Sequence, residues 1–390
     1  RPTYSQIIDQ SSLRLPGSNS NTIPVKTSIP TSYGEKIILW EMERFIDING
    51  TTIINGMVAD ERIVNQKEYR NAVMAINGKT GDLTITFTDH DGTFNIRPLK
   101  PYSQSLGIQE PNKIDHTEFK CDVSDLSQKN LIPTKDFSDL IREPIENSSF
   151  NESSSCSNTG IDVGCSEKDA TGKYVIDIFI GYSVDAVNYL TRNGDSYESH
   201  AARMVQTINQ SLSNSLVDNV YMRLVGTAVK DHNTGINLNS DGLAYVSTLF
   251  EEEMIETGAD YIAMYQERLN PKSYNTAEGW GDTQGRRSLN AIESENVLRH
   301  EVGHNFGSSH CSGGSDGFPY ANGYNNGVQK TIMCGNEILY YSNPQVILSG
   351  GAIGTVGFND NARLIRERAA VIANTATHRI PYGANDPCFG

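Results

Sequence analysis

No run in this 390-residue sequence approaches the ~18 consecutive apolar residues that a membrane-spanning helix needs, and no cluster of lysine or arginine stands out in it. The formal net charge is −15. That disfavours nucleic acid and anionic membrane surfaces, because both attract basic patches. No nucleic-acid partner and no membrane span are expected. Cysteine is scarce. Six residues, at 121, 156, 165, 311, 334 and 388, are too few for a disulfide scaffold and include no C-x-x-C pair. Pairing of some of them fits an oxidising compartment. The first residues, RPTYSQIIDQ, hold no apolar signal core, so a signal peptide is expected to be absent or already removed. There is no internal repeat. A hydrophobic content of 37% and an aromatic content of 8% suffice for real cores and exclude compositional disorder. Two domains are the expectation at this length.

Residues 1–33 are rich in Ser, Thr, Asn and Pro and read as a loosely ordered lead-in, with one helix or strand near Tyr4–Leu15. From 35 to 99, short β-branched segments are separated by "NG", "NGKTGD" and "DHDG", which predicts a small antiparallel β unit built from hairpins. Apolar residues almost vanish in 143–171, and that composition marks an exposed connection and a domain boundary. Beyond it strands and helices alternate. YVIDIFIGYS (174–183), VYMRLVGTAV (220–229) and ADYIAMYQE (259–267) read as strands. Residues 199–216 read as a helix with Ala201, Met204, Val205, Ile208, Leu212 and Leu216 on one stripe. LAYVSTLFEEEMIE reads as one further helix, and SENVLRHEVGHNFG as another that stops at Gly307. The helix near the end of the chain places Leu364, Ile365, Val371 and Ile372 on one side.

The chemistry concentrates in HEVGHNFGSSH, residues 300–310. Residues four apart share a helix face, so His300 and His304 can bind one metal ion through neutral imidazoles. Glu301, one step round the helix, can hold a water at that ion. Gly307 permits a sharp turn through positive φ, which returns His310 as a third ligand. Three protein ligands leave the fourth position open, as catalytic zinc sites do, and bound water there has a pKa of ~7. Glu301 is then placed to take the water's proton and pass it on.

These residues resemble the zinc signature of the metzincin metalloproteases. That superfamily has a downstream Met-turn, a 1,4-turn whose methionine lies beneath the metal, and TIMCGNE supplies Met333, 23 residues after His310. GHNFG, GKYVIDIFIGYS (172–183) and YYSNP (340–344) are most similar to the reprolysin (adamalysin) branch. Gly335 stands where astacins and serralysins have Tyr, and Cys311 where reprolysins usually have Asp. The resemblance covers about 172–379. It implies a secreted zinc endopeptidase, expected to be a monomer, with one catalytic zinc ion (Zn2+) and protein or peptide substrates. The implied fold is an α/β (α+β) catalytic domain, 172–390, with a mixed, mostly parallel sheet and an active-site helix. A flexible linker, 151–171, and a mainly antiparallel β propeptide domain, 1–150, precede it. Gly279, Trp280 and Gly281 are candidates for the edge strand that pairs with an extended substrate. EILYYSNPQVI (337–347) is expected to line an apolar pocket for the residue after the scissile bond. Residues 315–327 are rich in Asp, Asn and Gly but lack the spacing of a calcium loop, so a calcium ion (Ca2+) there is conceivable but unsupported.

The resemblance extends to the first domain. DGTFNIRPL and HTEFKCDVSD are similar to the end of reprolysin propeptides, where a single cysteine occupies the fourth zinc position and keeps the enzyme latent. Cys121 is that candidate, with Lys120 beside it to lower the thiol pKa and Asp122 where glycine is usual. The propeptide then acts as an intramolecular inhibitor through the zinc–sulfur bond and through docking of the β unit on the cleft. Of the other cysteines, Cys311 and Cys334 flank the active-site loop and are candidates for a pair, and Cys156 and Cys165 are near enough for a small loop. A disulfide from Cys121 is the competing reading, and sequence does not decide connectivity. Two other functions compete: a metzincin of another branch with a permanent accessory domain, and a secreted binding protein without turnover. The second usually loses the glutamate or a histidine, and this chain retains all of them.

Overall fold

A computed structural model of the chain describes residues 6–9, 26–63, 69–99, 105–110, 168–169, 171–231, 238, 240–268, 278–311 and 318–380. Cys121, Cys156, Cys165, Cys388 and nearly all of 143–171 lie outside the described residues.

Among the described residues eight strands come first: β1 (Gln6–Asp9), β2 (Lys26–Thr31), β3 (Gly34–Ile46), β4 (Thr52–Val58), β5 (Ala72–Ile76), β6 (Leu83–Asp89), β7 (Gly92–Pro98) and β8 (Ser105–Gln109). They form one sheet in the order β1-β8-β7-β6-β5-β4-β3-β2 with every pairing antiparallel. Asx side chains make the turns. Asp47 Oδ1 accepts from Asn49 and Thr51, Asn77 Oδ1 from Lys79 and Thr80, and Asp89 Oδ1 from Asp91, each mimicking a backbone acceptor. The sheet reaches into the expected lead-in: β1 and β2 both lie within 1–33. β2 is polar apart from buried Ile29 and carries Pro30, which an edge strand tolerates. One face of the sheet gathers Ile38, Trp40, Ile54, Phe87, Phe94 and Ile96 into a core.

The second part alternates: β9 (Tyr174–Ser183), α1 (Val184–Arg192), α2 (Tyr197–Asn214), β10 (Val220–Lys230), α3 (Ser240–Leu249), α4 (Glu251–Thr257), β11 (Tyr261–Gln266), β12 (Gly279–Gly281), β13 (Arg287–Ala291), α5 (Val297–Phe306), β14 (Asn343–Leu348), β15 (Gly351–Ile353) and α6 (Asn361–Ile372). The order of its five-stranded sheet is β10-β9-β11-β13-β12. All pairings are parallel except β12 with β13. β9 is mostly apolar because both its faces are covered, and its one charged residue, buried Asp177, is paired with Arg223. Ile176, Ile178, Ile180 and Tyr182 pack with residues of α1, α2, α5 and α6, whereas Phe179 packs with α3 and α4. The result is a mixed α/β architecture with several sheets.

Three sequence expectations change. LAYVSTLFEEEMIE is two helices, not one. Phe250 leaves helical geometry between them, and its ring lies so close to Gly181 that a Cβ there would approach within 2.2 Å. Leu216 is off the α2 stripe: the helix ends at Asn214 with Ser215 as its C-cap, and Leu216 takes a left-handed φ of 59° and is exposed. Val371 is 66% exposed, and the buried stripe of α6 runs through Ala362, Leu364, Ile365, Ala369 and Ile372 instead.

Among the described residues, the β unit docks chiefly along α2. On its second face, Ile53, Val73 and Ala75 pack on Ala202. Around that apolar contact the helix presents a polar stripe at helical spacing. Arg203 donates to Thr84 and Thr86, Gln206 and Gln210 to Asn55, and Asn214 exchanges bonds with the backbone of Arg70. Asn77 donates to Ser196, and Thr93 pairs with Asn296 just before α5. Arg203 is fully buried and holds both oxygens of Asp195, at 3.1 and 2.5 Å. Burial alone would raise the Asp195 carboxyl, but Arg203 and then Arg97 outweigh it and hold it below the usual range. Arg203→Met removes one partner of a buried pair. It is expected to destabilise the chain by ~3 kcal/mol, the low end of what such a break costs, since Arg97 still faces Asp195. The shift of the urea unfolding midpoint measures this, and an unchanged midpoint contradicts it.

Candidate metal centre

α5 is buried along its whole length. It ends at Gly307, whose φ of 104° is open to glycine at little cost, and Ser308 N–H returns to Gly303 O at 2.9 Å. The chain then reverses. A bridge between Ser309 and Asn322 fixes the returning strand, and Gly323 N–H donates to His310 O. His310 is thereby brought over the helix. The Nε2 atoms of His300, His304 and His310 lie 3.1 Å from one another in all three pairs.

Two backbone carbonyls set the tautomers. His300 Nδ1 faces Ile332 O at 2.7 Å and His304 Nδ1 faces Ser308 O at 2.8 Å. A carbonyl only accepts, so each Nδ1 carries the proton and each Nε2 points a bare lone pair inward. Burial keeps the rings neutral. It pushes His300 well below the ordinary histidine value, with His304 and His310 adding to the effect. It brings His304 down to about 3 and lowers His310 too. Lone pairs converging in a buried pocket fit a cation. Metal–nitrogen bonds of ~2.0–2.1 Å in a tetrahedron put the nitrogens roughly 3.3–3.4 Å apart, within about 0.3 Å of what is found. These three histidines can hold a metal ion. A second group, Asp89, His90 and Asp91, already receives the Lys36 ammonium on both carboxylates.

Met333 is buried in a 1,4-turn closed by Cys334 N–H to Thr331 O at 2.8 Å. A Cβ on Gly303 would come within 2.2 Å of its sulfur, so the glycine between the helical histidines is what lets the methionine pack beneath them. Cys311 and Cys334 form a disulfide that ties the residue after His310 to this turn.

Glu301 is fully buried and its carboxylate lies against β12, the edge strand of the sheet. A Cβ on Gly279 would stand 2.5 Å from Glu301 Oε1, and one on Gly281 3.0 Å from Oε2. Trp280 between them turns to the opposite face and joins the α3–α4 core. Asn305 donates to Asp282 O and Arg287 O, both at 2.9 Å, and so fastens the helix to the β12–β13 hairpin. Sequence reading missed Asn305, although "GHNFG" contains it, and also missed β13, whose RSLNA has no alternating pattern. The segment after the Met-turn does not simply line a pocket. Ile338, Leu339 and Tyr340 pack with Ile63 and Tyr69 of the β unit, and the Tyr69 and Tyr340 rings stack at 5.4 Å. Tyr341 is buried and donates to Arg299 O.

No family model matches the sequence, and no curated protein does. Among solved structures, a chain in a chaperone–substrate complex is 22% identical over 54% of this chain, with a TM-score of 0.43. This chain spans only 38% of its length. Metalloproteinase-II from Bacteroides fragilis is 11% identical, with 87% of this chain and 91% of that one covered and a TM-score of 0.41. Superpositions this loose establish neither family nor activity, so the functional argument rests on the side chains above.

Proposed function

We propose that this chain is a secreted zinc-dependent endopeptidase of the reprolysin type, made as a latent zymogen. The observation that carries the reading is the convergence of three neutral imidazoles at 3.1 Å, two of them buried and His310 half-buried, with a buried carboxylate on the same helix as the first two lying against an edge strand. His300, His304 and His310 would hold the zinc, which when bound supplies Lewis-acid polarisation of a peptide carbonyl and a more acidic water. Glu301 takes the proton from the attacking water and returns it to the departing amine. β12 offers its outer edge to an extended peptide, whose main chain would add as a further strand. That pairing sets the scissile bond beside Glu301, because the glycines of β12 lie directly against the carboxylate.

The test is hydrolysis of an unstructured protein by the zinc-loaded chain after limited proteolysis between Arg142 and Lys168. Activity that rises on cleavage and is lost to a chelator supports the reading, whereas no hydrolysis after cleavage contradicts it. Latency has its own test. Cys121→Ser should raise the basal activity of the uncleaved chain, because a sulfur on the metal leaves no water to activate. A disulfide between Cys121 and any other cysteine would sink that part of the proposal.

A further inference from the structure

Arg299 precedes the first histidine, yet its side chain never enters the proposed chemistry. It is buried, and among the described residues its guanidinium bonds Asn336 alone. Nε donates to Asn336 Oδ1 at 2.6 Å and Nη2 to Asn336 O at 3.0 Å. Asn336 reaches back with Nδ2 to Asn296 O at 2.7 Å, at the N-cap of α5. Its own N–H bonds Thr331 O at 3.0 Å, closing the turn that contains Ile332 and Met333. Asn336 sits at φ 56°, a conformation that asparagine tolerates better than most residues. Among the described residues, Nη1 of Arg299 has no hydrogen-bond partner. Burying a guanidinium without a carboxylate is costly, and an apolar side chain of similar volume would ordinarily serve packing better.

We propose that Arg299 and Asn336 form a positioning clamp that fixes the Met-turn against the histidine-bearing helix. The clamp rests on the zinc-centre reading of this site. Its consequence runs through two contacts. Ile332 O orients His300 through Nδ1, and Met333 sulfur packs under Gly303. If the turn shifts along the helix, both contacts shift and the His300 ring loses its fixed direction. Arginine suits the task because its planar fork reaches two oxygens of one residue, which a lysine ammonium does not reproduce.

The test uses the full chain. Asn336→Gly keeps the left-handed backbone while deleting the amide, and Arg299→Lys keeps the charge while losing the fork. Zinc affinity is measured by chelator competition, and site geometry by the visible spectrum of the cobalt-substituted protein. Both variants should remain folded by circular dichroism, bind zinc ~10-fold more weakly, as loss of an outer-shell support typically does, and show an altered cobalt spectrum. Asn336→Asp, which keeps both oxygens that Arg299 uses, should recover most of the affinity. After limited proteolysis, kcat should fall with little change in KM. Unchanged affinity and spectrum in both variants, or affinity lost only where the variant unfolds, would overturn the clamp alone. A wild-type chain that binds no zinc at this site would overturn the zinc-centre reading, and the clamp with it.

Discussion

Glu301→Gln is expected to lower peptide hydrolysis by ~10²–10⁴-fold, the range a general base contributes, while leaving zinc at one ion per chain. The expectation follows from the separation of roles on α5. The proposed metal ligands are imidazole nitrogens that converge on one point, whereas the Glu301 carboxylate lies against Gly279 and Gly281. Glutamine is nearly isosteric, so the helix and its contact with β12 should persist. Its amide cannot accept the water's proton. Metal content by mass spectrometry and hydrolysis of a fluorogenic peptide by the processed chain, read on the same sample, test the assignment. Retained turnover removes Glu301 from the mechanism, and lost zinc makes it part of the binding site.

A second large effect is expected from the smallest substitution. Gly279→Ala would place a methyl group 2.3 Å from Val297 Cγ2 and 2.5 Å from Glu301 Oε1, distances that cannot persist. Either β12 retreats from the helix or the carboxylate rotates away. Both move the proposed base relative to the proposed substrate edge, and a displacement of ~1 Å at a reacting group can cost on the order of 100-fold in rate. Zinc affinity should hardly change, because the atoms nearest the added methyl belong to Val297 and Glu301, not to a histidine. The paired measurement is kcat with zinc affinity. A fall in kcat of less than about threefold would mean that β12 does not position Glu301.

The convergence of the three histidines and the turn at Gly307 were legible because their geometry is local. A helix and one turn bring 300–310 into register, and spacing alone encodes that. Met333 was also legible, since its place after the third histidine mirrors a known pattern, and the Cys311–Cys334 pair was a candidate because the two residues flank the active-site loop. What escaped was encoded by tertiary contact. Nothing in the string marks Arg299 as the partner of Asn336 or Asn305 as the fastener of the edge hairpin, because each partner is set by how separate segments pack. The break at Phe250 has the same origin: the local pattern favours one helix, and the ring's fit over Gly181 overrides it. The β unit was visible from its turns, but its docking surface was not. The polar stripe Arg203, Gln206, Gln210 and Asn214 reads in sequence as a solvated helix face, yet all four residues are buried under the first sheet.

The central claim is that His300, His304 and His310 together hold one zinc ion, and X-ray absorption at the zinc edge of the full chain tests it most directly. The expected spectrum has three imidazole nitrogens at ~2.0–2.1 Å and one further ligand, a sulfur at ~2.3 Å if Cys121 maintains latency. In His304→Ala the imidazole count should fall. A chain without stoichiometric zinc, or a spectrum that His304→Ala leaves unchanged, would contradict the account.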